Sequence, residues 1–208
     1  MRTPLLLGFL EEPAPAELPD GVETIVCQGL SALVSDRFVP ADLPEISAQL
    51  LRIQRLARLV PLRPAPVPKN LQQLAIRLEP TLIANLARVG QAVEFVVQTP
   101  VEMKSVGSPG DAKDYLRSAL QAKQTMRKAG DAAFDAIRGA MATLDEKAIE
   151  TKRSEPNVNQ ILSKHILIDV SRMSDVVNDW QGNRAVWASR GARLSGPWAP
   201  YSFVEIGG

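Results

Sequence analysis

Leu5-Leu6-Leu7-Gly8-Phe9-Leu10 holds five large apolar residues in six positions and is followed at once by Glu11-Glu12. A secretory signal needs a longer apolar run and a small-residue cleavage site, and the acidic pair cuts the run short. A membrane span needs about 18 apolar residues or more. The stretch from Leu5 to Phe9 is therefore read as a first strand buried in a core, and the chain is expected to be soluble and cytoplasmic. Outward from it, residues 11–20 carry three prolines and four acids and read as a loop. Residues 22–26 are rich in β-branched side chains and predict a strand. Gln28-Gly29 marks a turn, and residues 30–34 predict the partner strand.

Helices follow. Asp42 stands where a cap is needed, and Glu45 comes three residues later, the spacing of a capping box. Ile46, Leu50, Ile53, Ala57 and Val60 then recur at steps of four and three and form one apolar stripe. Arg52, Arg55 and Arg58 fall outside it. The proline-rich run 61–68 ends that helix, with a short strand over 59–62. Asn70 is placed to cap a second helix, whose apolar face is Leu71, Leu74, Ala75 and Leu78. Pro80 predicts a kink or restart. Leu82, Ile83, Leu86 and Val89 continue the pattern up to Gly90. Residues 91–99 predict a strand with Val93, Phe95 and Val97 on one side and Glu94 and Gln98 on the other.

Val106-Gly107-Ser108-Pro109-Gly110 reads as a linker. It divides the chain into an N-terminal domain, 1–105, the linker 106–110, and a C-terminal domain, 111–208. Beyond it Ala112, Tyr115, Leu116, Ala119 and Leu120 lie at helical spacing. Gly130-Asp131 is expected to interrupt, and Ala133, Ile137, Ala140, Met141 and Leu144 form a second helical face. Residues 147–153 and 161–170 predict two strands joined by a loop at Pro156-Asn157. A short helix follows from Ser171, with Met173, Val176, Val177 and Trp180 on its apolar face. Residues 185–194 predict a last long strand. Strand groups and helices interleave without strict βαβ repetition. The expected class is α+β: two small domains with helices packed on one face of mainly antiparallel sheets.

The composition excludes several function classes. Hydrophobic residues make up 45% and charged residues 23%, and 24 basic residues balance 23 acidic ones to a net charge of +1. Such a balance creates no broad field for nucleic acid or anionic lipid. Cys27 stands alone, so no intrachain disulfide can form, which fits a reducing compartment. One histidine and one cysteine cannot build the usual zinc site. No EF-hand spacing occurs, and the glycines at 107 and 110 lack the Lys-Ser/Thr of a phosphate loop. Asp145-Glu146 are sequence neighbours, point different ways, and read as a solvated helix end. His165 is the single candidate general base. Its same-side acid, Asp169, lies roughly 13 Å away along the strand, at about 3.3 Å per residue. No metal or cofactor is expected. The alternative function is a small α+β enzyme, or a ligand-binding regulatory domain, that uses His165.

The ending differs in kind. In Leu194-Ser195-Gly196-Pro197-Trp198-Ala199-Pro200-Tyr201-Ser202-Phe203, two prolines bracket Trp198, and Tyr201 and Phe203 alternate after it. Stiffened by proline, such a segment can lock a domain or offer an aromatic anchor to a partner. This string resembles the ending of the gas vesicle GvpF/GvpL family, Thr/Ser-Gly-Pro-Trp-Pro-Pro-Tyr-Ser/Asn-Phe, with Ala199 in place of a proline. Gly29-Leu30-Ser31-Ala32-Leu33-Val34-Ser35 is similar to a family strand. Leu86-Ala87-Arg88-Val89-Gly90 leading to Val93-Glu94-Phe95 is similar to its glycine-led entry into another, and Tyr115-Leu116 to the opening of its second-domain helix. Two departures mark a divergent, short member. Ile53 and Gln54 stand where the family usually has a histidine, and Pro61-Leu62-Arg63 continues into Pro64-Ala65 rather than Phe-Gly.

The resemblance implies two α+β domains, the first ferredoxin-like. It implies a non-enzymatic accessory protein of gas vesicle assembly, associated with the vesicle and in contact with the small hydrophobic shell protein and other vesicle proteins, not with nucleic acid or lipid membrane. Candidate partner-binding residues are Arg52, Arg55 and Arg63 of the basic cluster, and Trp198, Tyr201 and Phe203 of the ending.

Overall fold

The computed structural model describes residues 3–100, 112–154 and 161–206, and the side chains of these except residues 40, 112–115, 119, 122, 123 and 126. The linker read at 106–110 and the loop read at Pro156-Asn157 lie outside the described residues. In chain order the elements are β1 (Leu5–Glu11), β2 (Glu23–Cys27), β3 (Leu30–Ser35), α1 (Leu43–Gln54), β4 (Leu59–Pro66), α2 (Leu71–Val89), β5 (Ala92–Pro100), α3 (Ala112–Asp135), α4 (Arg138–Lys147), β6 (Ala148–Arg153), β7 (Ile161–Asp169), α5 (Met173–Gly182), α6 (Arg184–Ser189) and β8 (Arg193–Trp198). The protein is α+β, with one sheet ordered β2-β3-β1-β4 and another ordered β6-β7-β5-β8. By its contacts the chain forms two units: Met1–Phe95 with Leu167–Met173 and Gly196–Gly208, and Val96–Ile166 with Ser174–Ser195. The aromatic ending, which the sequence places with the second half, groups with the first unit.

The first unit is organised by β1, which pairs antiparallel with both β3 and β4. All six residues from Leu5 to Leu10 are buried, because both faces of the strand are covered. Leu5, Leu7 and Leu10 face a core with Ile46, Leu50 and Ile53 of α1. Leu6 and Phe9 face a separate core with Leu71, Ala75, Leu82 and Leu86 of α2. The helices thus lie on opposite faces of this sheet, not on one face as expected. Strict alternation would put Leu5, Leu7 and Phe9 together. A register shift between Leu6 and Gly8 leaves Leu7 as an extra residue, and the bulge moves Phe9 to the α2 side and Leu10 to the α1 side. Gly8 permits this. A Cβ there would stand 2.5 Å from the Val60 carbonyl oxygen. Gly8→Ala is expected to cost about 1–3 kcal/mol in urea unfolding, the range for overpacking a tight site.

The helix ends differ in detail from the sequence reading. The Asp42 carboxylate accepts from the Val39 N–H at 2.9 Å and closes a 3-10 turn over Pro40–Asp42, so it does not serve the capping box with Glu45. α1 ends at Gln54, earlier than its apolar stripe suggests, because Leu59 and Val60 belong to β4. α2 runs through Pro80, which is exposed, so the carbonyl its ring cannot serve is left to water. Cys27 is buried in the α2-side core, and burial pushes its thiol pKa up. It is a core residue, as read.

In the second unit α3 passes Gly130-Asp131 and ends at Asp135. Ion pairs tie its helices to its strands. Lys164 Nζ of β7, itself buried, donates to Asp145 Oδ1 of α4 at 2.5 Å, so Asp145 is engaged rather than merely solvated. Arg153 of β6 reaches Asp131 Oδ1 at 2.6 Å and lies 4.9 Å from the centre of the Phe134 ring. The strand expected over 185–194 is instead α6, a turn around Gly191, and β8 from Arg193. Val186 and Trp187 both donate their N–H to the Asn183 carbonyl, and Trp187 alone of α6 is buried. Six residues with one buried side chain give no readable period.

Candidate functional site

A cavity of about 510 Å³ opens on the first unit, lined by the start of α1, the middle of β4, Glu94 of β5 and the terminal segment. Each wall has a local cause. Between Gly8↔Pro61 and Leu6↔Ala65, one β1 residue faces three in β4, so Leu62-Arg63-Pro64 bulges. Bulges re-aim side chains, and Arg63 and Pro64 become lining residues. Leu43 and Pro44 open α1 and form an exposed apolar lip. Trp198 and Tyr201 complete an apolar wall and are both half-buried.

The terminal segment is held at four residues by six hydrogen bonds. Ala199 N–H donates to the buried Ser47 Oγ at 2.8 Å. Ser202 donates twice to Glu94, from N–H to Oε2 at 3.1 Å and from Oγ to Oε1 at 2.7 Å. Arg88 Nη2 donates to the Phe203 carbonyl at 2.5 Å. Asn85 pairs with the Glu205 backbone in both directions, at 2.8 and 3.2 Å. Gly196 has φ +121, and a Cβ on it would lie 2.7 Å from the Glu94 carbonyl oxygen. Ala199 and Tyr201 pack into the α1-side core, whereas Val204 packs into the α2-side core. The turn over Tyr201–Phe203 lies against β4, so the segment passes around that edge of the sheet. Edge strands left open invite foreign pairing, and this one is strapped.

The candidate residues separate. Arg63, Trp198 and Tyr201 meet at the cavity. Phe203 is fully buried with Val89, Ala92 and Leu167. Arg52 lies on the exposed side of α1, where its Nη1 donates to Gln49 at 3.4 Å and it borders another concavity, with Asp20 and Arg37. Arg55 Nη2 approaches Met173 Sδ at 4.0 Å. Gln54 donates to the Ala92 carbonyl at 3.1 Å. Ser47 and Glu94 were not singled out. A carboxylate inside the apolar run Val93-Glu94-Phe95-Val96-Val97 is the signal that could have found Glu94.

Both Glu94 oxygens already accept from Ser202, so this carboxylate anchors a turn. The Tyr201 hydroxyl is buried without a hydrogen-bond partner, and burial pushes its pKa up, which keeps it neutral. Arg63 forms no ion pair among the described residues. Away from the cavity, His165 is half-buried on β7, and Asp169 accepts from the Ser171 N–H and Oγ at 2.9 and 2.6 Å, which makes it a turn cap. Among the described residues no group of three or more His, Cys, Asp or Glu side chains could hold a metal ion, and no helix is long and apolar enough to cross a membrane.

Comparison with known proteins gives three findings. The family "Gas vesicle synthesis protein GvpL/GvpF" matches residues 8–205. Among curated proteins, none matches the chain by sequence. Solved structures of gas vesicle protein GvpF are similar in fold. That from Microcystis aeruginosa has a TM-score of 0.69 at 17% identity, over 98% of this chain and 99% of its own. That from Anabaena sp. PCC7120 has a TM-score of 0.67 at 16% identity, over 99% and 97%. The family match covers nearly the whole chain, including the segment that builds the cavity, and on it the chain belongs to the gas vesicle synthesis GvpL/GvpF family.

Proposed function

We propose that this chain acts without catalysis, as a cytoplasmic assembly protein that holds the small hydrophobic shell protein of the gas vesicle at the cavity described above. It limits self-association of the unassembled shell protein before delivery to the growing vesicle. The observation that carries the reading is the cavity itself. Its walls are apolar, from Leu43, Pro44, Trp198 and Tyr201, and its one cation, Arg63, has no ion pair among the described residues. The occupant that fits is an apolar segment carrying a carboxylate. Aromatic and arginine side chains of this kind are the usual anchors of interfaces.

The test is co-expression of the tagged chain with the shell protein, followed by pull-down. The wild-type chain is expected to retain it. Arg63→Glu is expected to weaken retention about tenfold or more, since a charge-assisted hydrogen bond contributes about 1.5–3 kcal/mol. Trp198→Ala is expected to act in the same direction. If the wild type retains neither the shell protein nor any other vesicle protein, the assembly reading fails. If it does, and neither substitution lowers retention, the cavity is not the contact.

A further inference from the structure

The second unit holds a cavity of about 470 Å³ whose lining includes Trp180, Arg184, Trp187, Arg193 and Leu194. Three consecutive elements build it: α5 brings Trp180, α6 brings Arg184 and Trp187, and β8 brings Arg193 and Leu194. Trp187 is 1% exposed and heads the fully buried side chains by size. Its indole Nε1–H is buried with no acceptor, and so is that of Trp180. A buried donor without an acceptor costs about 1–3 kcal/mol, and native structures hold few of them. Two sit in the side chains of one cavity wall.

The charge there has one sign. Arg184 and Arg193 are exposed and have no ion pair or hydrogen bond among the described residues, and no carboxylate lines the cavity. Asp179 precedes Trp180 but is not part of the lining; its Oδ1 accepts from Asn183 Nδ2 at 3.4 Å, and its Oδ2 is buried without a hydrogen-bond partner. The wall thus combines two guanidinium groups, two indole donors lacking acceptors, and apolar area from Leu194 and the ring faces. From this we infer that the cavity is a binding site for a carboxylate joined to an aromatic or apolar body. The carboxylate pairs with Arg184 and Arg193, and the body lies against the rings. A guanidinium fork matches a carboxylate in two-point geometry, and the volume suits a small ligand or the end of a peptide.

The experiment follows the three indole N–H resonances of the full-length chain, labelled with 15N-tryptophan and assigned through Trp180→Phe, Trp187→Phe and Trp198→Phe. Phenylacetate probes a free small carboxylate, and a short peptide ending in phenylalanine with a free α-carboxylate probes a polypeptide source. At least one of the two is expected to move the Trp180 or Trp187 resonance in a saturable way and to leave Trp198 still. Whichever binds more tightly identifies the source. Phenylacetamide, of the same shape without the charge, is expected to bind at least about tenfold more weakly. The double variant Arg184→Gln, Arg193→Gln is expected to lose the response with an unchanged melting temperature, since both side chains are exposed. The inference is overturned if neither carboxylate moves either resonance, if phenylacetamide binds equally well, or if the double variant responds like the wild type.

Discussion

Phe203→Ala is expected to destabilise the first unit by about 3–5 kcal/mol, the usual cost of emptying a fully buried aromatic site. The ring has no exposed surface and packs with Val89, Ala92 and Leu167. Its loss leaves a hole at the junction of α2, β5 and β7, three elements that cannot close on it together. The backbone holding the ring stays tethered by Arg88 at the Phe203 carbonyl and by Glu94 at Ser202, which limits collapse into the space. Urea unfolding followed by circular dichroism measures the effect. A loss below about 1 kcal/mol would show that Phe203 is a surface anchor and not a core residue.

Gly196→Ala is expected to cost about 2–5 kcal/mol through two causes that add. A φ of +121 is costly for any side-chain-bearing residue, about 1–3 kcal/mol. The new Cβ also meets the Glu94 carbonyl oxygen at 2.7 Å and Phe95 Cδ1 at 3.1 Å, and the first of these is backbone that cannot swing aside. Gly139→Ala is the control. Nothing lies within 4 Å of a Cβ there, and Gly139 sits inside α4, so alanine is expected to be neutral or to stabilise by up to about 1 kcal/mol. Similar melting temperatures for the two variants would sink the account of Gly196.

Much of the first unit was legible, because its elements are long and their periods clean. The hairpin at Gln28-Gly29, the stripe Ile46-Leu50-Ile53 and the apolar face of α2 appear where the pattern puts them. The layering was legible in principle. Six consecutive buried residues, Leu5 to Leu10, are what a strand covered on both faces looks like, yet composition says nothing about which helix covers which face. The bulge at Leu7 was hidden, since only pairing with β3 and β4 reveals it. α6 was misread because Ala185-Val186-Trp187-Ala188 alternates in size over too few residues to betray a helix.

The candidate site divides along the same line. Trp198, Tyr201 and Arg63 stood out as residue types in unusual company. Ser47 and Glu94 are ordinary in their own neighbourhoods and acquire their roles from groups 152 and 108 positions away. Phe203 was grouped with the anchors because aromatic alternation does not say which ring points inward.

The terminal strap sets an order on biosynthesis. Residues 196–206 emerge from the ribosome after every element they pack against, yet they supply Ala199 to the α1-side core and Phe203 to the small core beside α2. A nascent chain ending before Gly196 holds β1 to β5 with those two places empty and the β4 edge unstrapped. Native contacts spanning so much of the chain form slowly and late. The Trp198–Tyr201 wall does not exist until synthesis has passed it. A nascent chain that stops short of Tyr201 therefore lacks that wall of the cavity.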